Sequence, residues 1–198
     1  MSSGFFRSLS STTQKDKPRL YIALYPRGGT SFQTNVNCDS YHWSIIVGPQ
    51  TAWRKDPGTR YHVAHVDHGD RRHDQHWFYE EQDMASSATA QRVLVRVAVA
   101  KVIDEPRLQS LLRELPVAED DSAFSCLTWV KNAYLKLMAD SKCLKSYLDE
   151  ADWPAVERCA REYCKRKREQ RRIQDQAATW DAETVSTFNF WENRETTL

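Results

Sequence analysis

The sequence predicts an α+β domain, with an antiparallel sheet of four to five strands followed by three helices. Three observations carry this. Alternating, β-rich runs crowd the first hundred residues, apolar stripes of helical spacing take over after Asp104, and no internal repeat interrupts that order. Strands first and helices afterwards is the order of an α+β chain rather than of alternating βαβ units.

Residues 1 to 17 are rich in Ser, Thr and Lys, have no periodicity and are expected to form a disordered arm. The domain is expected over 18–172. RLYIALYPR opens it as an alternating strand closed by Gly28 and Gly29. Tyr41 to Pro49, YHWSIIVGP, is a second strand ended by Gly-Pro. Arg60 to Val66, RYHVAHV, is a third, entered through Asp56-Pro57-Gly58. WFYEEQ is a loop or short strand. RVLVRVAVAKVI is the longest strand, with Val93, Val95, Val97 and Val99 expected on one face.

Leu108, Leu111, Leu112 and Leu115 then mark an amphipathic helix stopped by Pro116. Asp120, Asp121 and Ser122 offer N-caps for a second helix, striped by Leu127, Val130, Tyr134, Leu137 and Met138. A third starts at Asp152-Trp153-Pro154, where Asp caps and Pro suits the first turn. Residues 173–198 carry five acids against Arg194 alone and read as an acidic polar tail, in which STFNFW offers an extra strand.

Composition narrows the function classes. The chain of 198 residues holds 28 Lys+Arg against 27 Asp+Glu, a net charge of +1, so bulk attraction to nucleic acid is not expected. No apolar run reaches the ~20 residues of a membrane span. The N-terminus lacks the basic and apolar regions of a signal peptide, and the five cysteines include no CxxC pair. A cytoplasmic location follows as the expectation. The run KRKREQRR, Lys165 to Arg172, could direct the chain to the nucleus or touch RNA, but it equally suits a solvated helix end complementing the helix dipole.

Chemistry centres on Cys126. Caps just upstream place it in the first turn of a helix, where unpaired N–H groups and the dipole favour a thiolate. A cysteine nucleophile needs a base and a group that orients the base. His42 and His62, on neighbouring strands, can supply both, with Cys126 sulfur expected within about 4 Å of a His42 ring nitrogen and on the same side of the sheet. The opposing expectation is that cysteine on an amphipathic helix fills core, which is how Cys143, Cys159 and Cys164 are read.

Three segments bear a resemblance. Tyr41-His42-Trp43-Ser44-Ile45-Ile46-Val47-Gly48 resembles the histidine strand of the lecithin:retinol acyltransferase and phospholipase A/acyltransferase group. Gly58-Thr59-Arg60-Tyr61-His62-Val63 resembles the returning strand with its second histidine. Ser125-Cys126-Leu127-Thr128-Trp129-Val130 is similar to that group's Asn-Cys-x-x-aromatic-Val helix start. The order His, His, Cys is that of circularly permuted NlpC-type, papain-like folds. The resemblance covers roughly residues 19 to 140. The YHW…VGP and C-x-TWV segments also look like those of a group of fungal proteins with no assigned activity.

What the resemblance implies is a Cys126 nucleophile, His42 as general base and acid, and His62 as the orienting residue, with His65 in reserve. It implies thioester chemistry, with an oxyanion held by N–H groups near the helix start and no cofactor or metal. Tyr41 is placed beside that pocket. Two departures redirect the substrate. Ser125 stands where the group has Asn, and a basic helix and polar tail replace the hydrophobic anchor of the lipid-acting members. A small acyl or peptide-like substrate with an amide, ester or isopeptide bond, as for the related PPPDE isopeptidases, is therefore expected rather than a lipid.

Two rival readings stand beside this one. HVAHVDHGDRRHDQH, residues 62 to 76, has the ligand types of a zinc or iron site in His62, His65, Asp67, His68, Asp70, His73, Asp74 and His76. Gly69, Arg71 and Arg72 argue instead for a polar, self-neutralising loop. The second rival is a non-catalytic accessory or interaction protein of a fungal, secondary-metabolite pathway.

Overall fold

Alternation of apolar and polar residues between positions 19 and 102 resolves into strands that share one sheet. The computed structural model describes residues 17–26, 41–51, 53–54, 56–66, 76–85, 92–118, 123–170, 172 and 183–197, apart from the side chains of His65, Val66 and His76. The expected arm thus lies outside the described residues except for Lys17, as do Gly28 and Gly29.

Five long strands come first: β1 (Arg19–Pro26), β2 (Tyr41–Gly48), β3 (Thr59–Val66), β4 (His76–Asp83) and β5 (Val95–Val102). Helices α1 (Glu105–Arg113) and α2 (Cys126–Asp140) follow. Then come β6 (Leu144–Lys145), a 3-10 turn (Glu150–Asp152), α3 (Trp153–Glu169), β7 (Ser186–Asn189) and β8 (Arg194–Thr197). The fold is α+β as expected, but the sheet is larger. Among the described residues it has eight strands in the order β4-β3-β2-β1-β5-β7-β8, with β6 paired to the end of β5. It is also mixed, because β7 runs parallel to β5. The stretch read as a polar tail therefore supplies two strands: STFN forms the extra strand expected there, as β7, and β8 adds to it. At two and four residues, β6 and β8 are too short to show a period of two.

β1 is buried on both faces, and every one of its residues pairs with β2. Leu20, Ile22 and Leu24 face the helices, together with Trp43, Ile45, Tyr61 and Val63. α2 packs on β2 and β3, and α3 packs on β5 and β1. The opposite face is smaller and more polar: Tyr21, Ala23, Tyr25, Ile46 and Met84 line it, and Arg96 stacks 4.2 Å over the Tyr21 ring.

Two local expectations are corrected. Val93 lies on that second face while Val95, Val97 and Val99 face the helices, because Val93 precedes the strand. The register then slips, with Leu20 opposite Ala100 and Tyr21 opposite Ala98. A bulge at Val99 therefore lets Ala100 and Val102 join the helix face too. Asp152 makes no side-chain cap at the start of α3. Its carboxylate accepts instead from the Asp149 N–H at 2.9 Å, closing a capping box over the 3-10 turn.

Gly58 sets β3 against β2. A Cβ there would stand 2.7 Å from the Val47 carbonyl oxygen, so only glycine lets the turn return this close.

Candidate active site

α2 starts where its capping chemistry allows. Ser125 adopts extended backbone, and its Oγ accepts from the Thr128 N–H at 3.2 Å. Ser125 is thus the N-cap, and Cys126 is the first helical residue. The expected caps Asp120, Asp121 and Ser122 lie outside the described residues. Ser and Asn are equally good N-caps, so the departure at position 125 preserves the cap.

The strand that receives Cys126 has an open edge. The β2–β3 ladder comprises Val47↔Thr59, Ile46↔Arg60 and Ile45↔Tyr61 and then stops, although both strands continue. Beyond that rung β2 is held by β1, and β3 by β4. Peptide groups on the inner edge of β2 therefore need other partners. The Cys126 sulfur provides them: it accepts from the Trp43 N–H at 3.5 Å and donates to the Tyr41 carbonyl at 3.9 Å. These are the two peptide groups that flank His42.

His42 and His62 do meet. His42 Nε2 is 3.2 Å from His62 Nδ1, and the rings pack edge to face with centroids 5.2 Å apart. The other nitrogen of His62, Nε2, lies 3.1 Å from Glu80 Oε2, although its N–H is not aligned on that oxygen. His62 and Glu80 are directly opposite in the β3–β4 ladder. His62 is 4% exposed, and its imidazole is pushed down to about 3, by burial first, then by Arg60 and His42. It is neutral near pH 7, with one proton to place between its two nitrogens.

The expected sulfur–imidazole hydrogen bond is not among the contacts of the described residues. Cys126 arrives from the helix face and is 2% exposed. His42 and His62 belong to the opposite face, where Tyr25 lies 6.2 Å from His42, ring centroid to ring centroid. What connects the two faces is the parting of β2 and β3. The sulfur lies at that opening, in line with the strand backbone rather than behind a closed sheet.

Several residues fall elsewhere than expected. Tyr41 is buried on the helix face, in contact with Cys164 and with Arg168 5.5 Å over its ring. The basic run is partly interior. Lys167 is fully buried 2.5 Å from Glu195, and Arg166 stacks on Tyr163 at 5.2 Å and Phe188 at 5.9 Å. The side chains of His65 and His76, and Asp67, His68, Asp70, His73 and Asp74, lie outside the described residues.

Two neighbours of the site were not singled out in the sequence. Glu80 lies in WFYEEQ, and the signal was its strand alternation beside RYHVAHV. Arg60 is two residues before His62 and so shares its face; its guanidinium stacks 4.0 Å over Tyr25. The other described cysteines are discouraged from ionising. Burial raises Cys143 to about 12 and Cys159 and Cys164 to about 11.

The chain belongs to a family described as a family of unknown function (DUF6914), whose model matches residues 17–197. That match runs from the start of β1 to the end of β8. No curated protein and no solved structure matches the chain. Among the described residues, no helix is long and apolar enough to cross a membrane.

Proposed function

We propose that the protein is a thiol-dependent hydrolase or acyltransferase of permuted papain-like architecture, cleaving an amide, ester or isopeptide bond of a soluble substrate. The observation that carries this reading is the opening between β2 and β3. There the sulfur of a helix-start cysteine sits against the two peptide groups flanking His42, and His42 is hydrogen-bonded to His62.

Roles follow from position. His62 holds Nε2 of His42, and His42 is the ring that exchanges a proton with sulfur. Neutral His62 fixes the His42 ring, and Glu80 steadies His62 from the neighbouring strand. Pairs of this kind are often long without substrate and tighten when it binds. The thiolate attacks the acyl carbonyl, the S–C bond forms, and first-turn N–H groups of α2 face the developing oxyanion. His42 returns the proton to the leaving group, and water or an amine then releases the acyl group.

A second reading, a non-catalytic interaction protein, is supported by the sulfur itself, which is 2% exposed and bonded to backbone as a core cysteine would be. One experiment separates the two. Wild type and Cys126→Ala are screened against ester, amide and isopeptide substrates, alongside low-dose iodoacetamide labelling with peptide mapping. The enzyme reading expects turnover that Cys126→Ala abolishes, and labelling of Cys126 at least about tenfold faster than of Cys143, Cys159 or Cys164. Labelling spread evenly over the cysteines, with no turnover, would sink it.

A further inference from the structure

Peptide groups on the outer side of a terminal strand lack a ladder partner, so folded chains guard such edges with short strands, prolines or outstanding charges. The two ends of this sheet are guarded unequally. At one end stands β8, only four residues, RETT, two of them charged. At the other stands β4, eight residues of HWFYEEQD without glycine or proline, and among the described residues only β3 pairs with it.

The three carboxylates of β4 do little to guard it, because they are engaged within the chain. Glu81 accepts from Nε and Nη2 of Arg113 at 2.6 and 2.7 Å and from the Tyr79 hydroxyl at 2.9 Å. Glu80 stands 3.1 Å from His62, and Asp83, at the last position, accepts from the Ala85 N–H at 3.0 Å. The middle of the strand shows solvent an aromatic ring instead. Phe78 is 40% exposed, while its neighbours Trp77 and Tyr79 lean on the helix-face core.

This edge is also its own complement. Two copies related by a two-fold axis normal to the sheet pair antiparallel with their faces aligned, so opposed residues are an even number of positions apart. Centring on Phe78 sets that ring against its own copy and Trp77 against Tyr79 of the second copy, aromatic on aromatic on both faces. Within residues 76–80 no acid then falls opposite another. Centring on Tyr79 sets Phe78 against Glu80 and Trp77 against Glu81, and centring on Glu80 sets like charges face to face, which is destabilising. Side-chain chemistry thus selects one register.

We propose that the protein is a homodimer through its β4 edge, with Phe78 against Phe78 of a second copy on the two-fold axis and the two sheets joined into one. Each β4 edge is used once and the β8 edge is guarded, so association closes at two chains rather than growing. The inference does not depend on the role of Cys126.

The test is sedimentation equilibrium of the full chain from about 1 to about 200 µM, for wild type, Phe78→Leu and Phe78→Lys. Wild type should rise with concentration from 23.1 kDa towards twice that mass, and Phe78→Leu should follow it. Phe78→Lys, which puts two ammonium groups on the axis, should dissociate at least about tenfold more readily. Register is read separately by copper-phenanthroline oxidation of Phe78→Cys and Ala85→Cys. Directly opposed residues have Cα atoms about 4.5–5.5 Å apart, within disulfide reach, so Phe78→Cys should cross-link two chains, while Ala85→Cys and wild type should not.

A mass of 23.1 kDa throughout, which leaves the edge to a foreign strand or to none, overturns the inference, and so do masses that climb past two chains. A dimer indifferent to Phe78→Lys, or Ala85→Cys cross-linking as fast as Phe78→Cys, overturns it too, since either puts the contact elsewhere. Should Phe78→Lys fail to fold, the wild-type mass and the Phe78→Cys cross-link decide.

Discussion

At His62, burial and hydrogen bonding make opposite demands on one ring. Burial, Arg60 and His42 hold it far below the ordinary imidazole value of about 6.5, so the folded chain refuses a proton that the unfolded chain accepts. Between about pH 6.5 and about pH 3 the unfolded state therefore binds more protons, and stability falls as the pH is lowered through that window. From pH 7 to 5 the loss traceable to His62 is at most about 2 kcal/mol, since Glu80 at 3.1 Å pulls the other way. Urea unfolding of wild type and His62→Gln at both pH values checks this. Wild type should lose more stability on acidification than the variant, and parallel losses would refute it. This residue, His42 and Cys126 were legible because each is flanked by a motif. Arg60 and Glu80 were not, since charged residues on exposed-looking strands gain meaning only when register puts them opposite a specific partner.

Among the elements, α2 decides whether the sulfur reaches the open strand edge. Its first turn is fixed by Ser125, whose Oγ accepts from Thr128 N–H while its carbonyl accepts from Trp129 N–H at 2.9 Å. Ser125→Ala should cost about 1 kcal/mol and slow Cys126 alkylation as the turn frays, while Ser125→Asn should stay within a few tenths. Urea midpoints of the two variants give the answer, and equal midpoints would remove Ser125 as the cap. The apolar stripe of this helix was readable from sequence, but its start was not, because several residues upstream also have capping side chains. β5 shows the same limit. Its alternation predicted a strand correctly, but nothing in VRVAVAKV marks the bulge that turns Val99 and Ala100 to one side.

Across the whole molecule, the chain closes its sheet from the C-terminal end. β7 enters parallel beside β5, β8 folds back on it, and the edge opposite β4 is left to a short strand of charged and polar residues, a common protection against further pairing. Sequence could not show this, because strand order depends on which edge remains open after β1 to β5 have paired. One buried contact ties this hairpin to α3: Lys167 is fully buried with Nζ 2.5 Å from Glu195 Oε1, whose side chain is 21% exposed. The pair compensates charge that burial makes costly: burial raises the Glu195 carboxyl, and hydrogen bonds from Lys167 and Tyr163 lower it. Its net worth is therefore small, while the cost of breaking it is large. Glu195→Gln leaves a buried ammonium uncompensated and should lose about 2–3 kcal/mol, whereas Lys167→Met combined with Glu195→Leu should return to within about 1 kcal/mol of wild type. A double-mutant cycle by urea unfolding reads the difference. Additive losses would mean that the lysine stem packs the α3 end onto the hairpin by its apolar length alone and that Glu195 is incidental to how the sheet is closed.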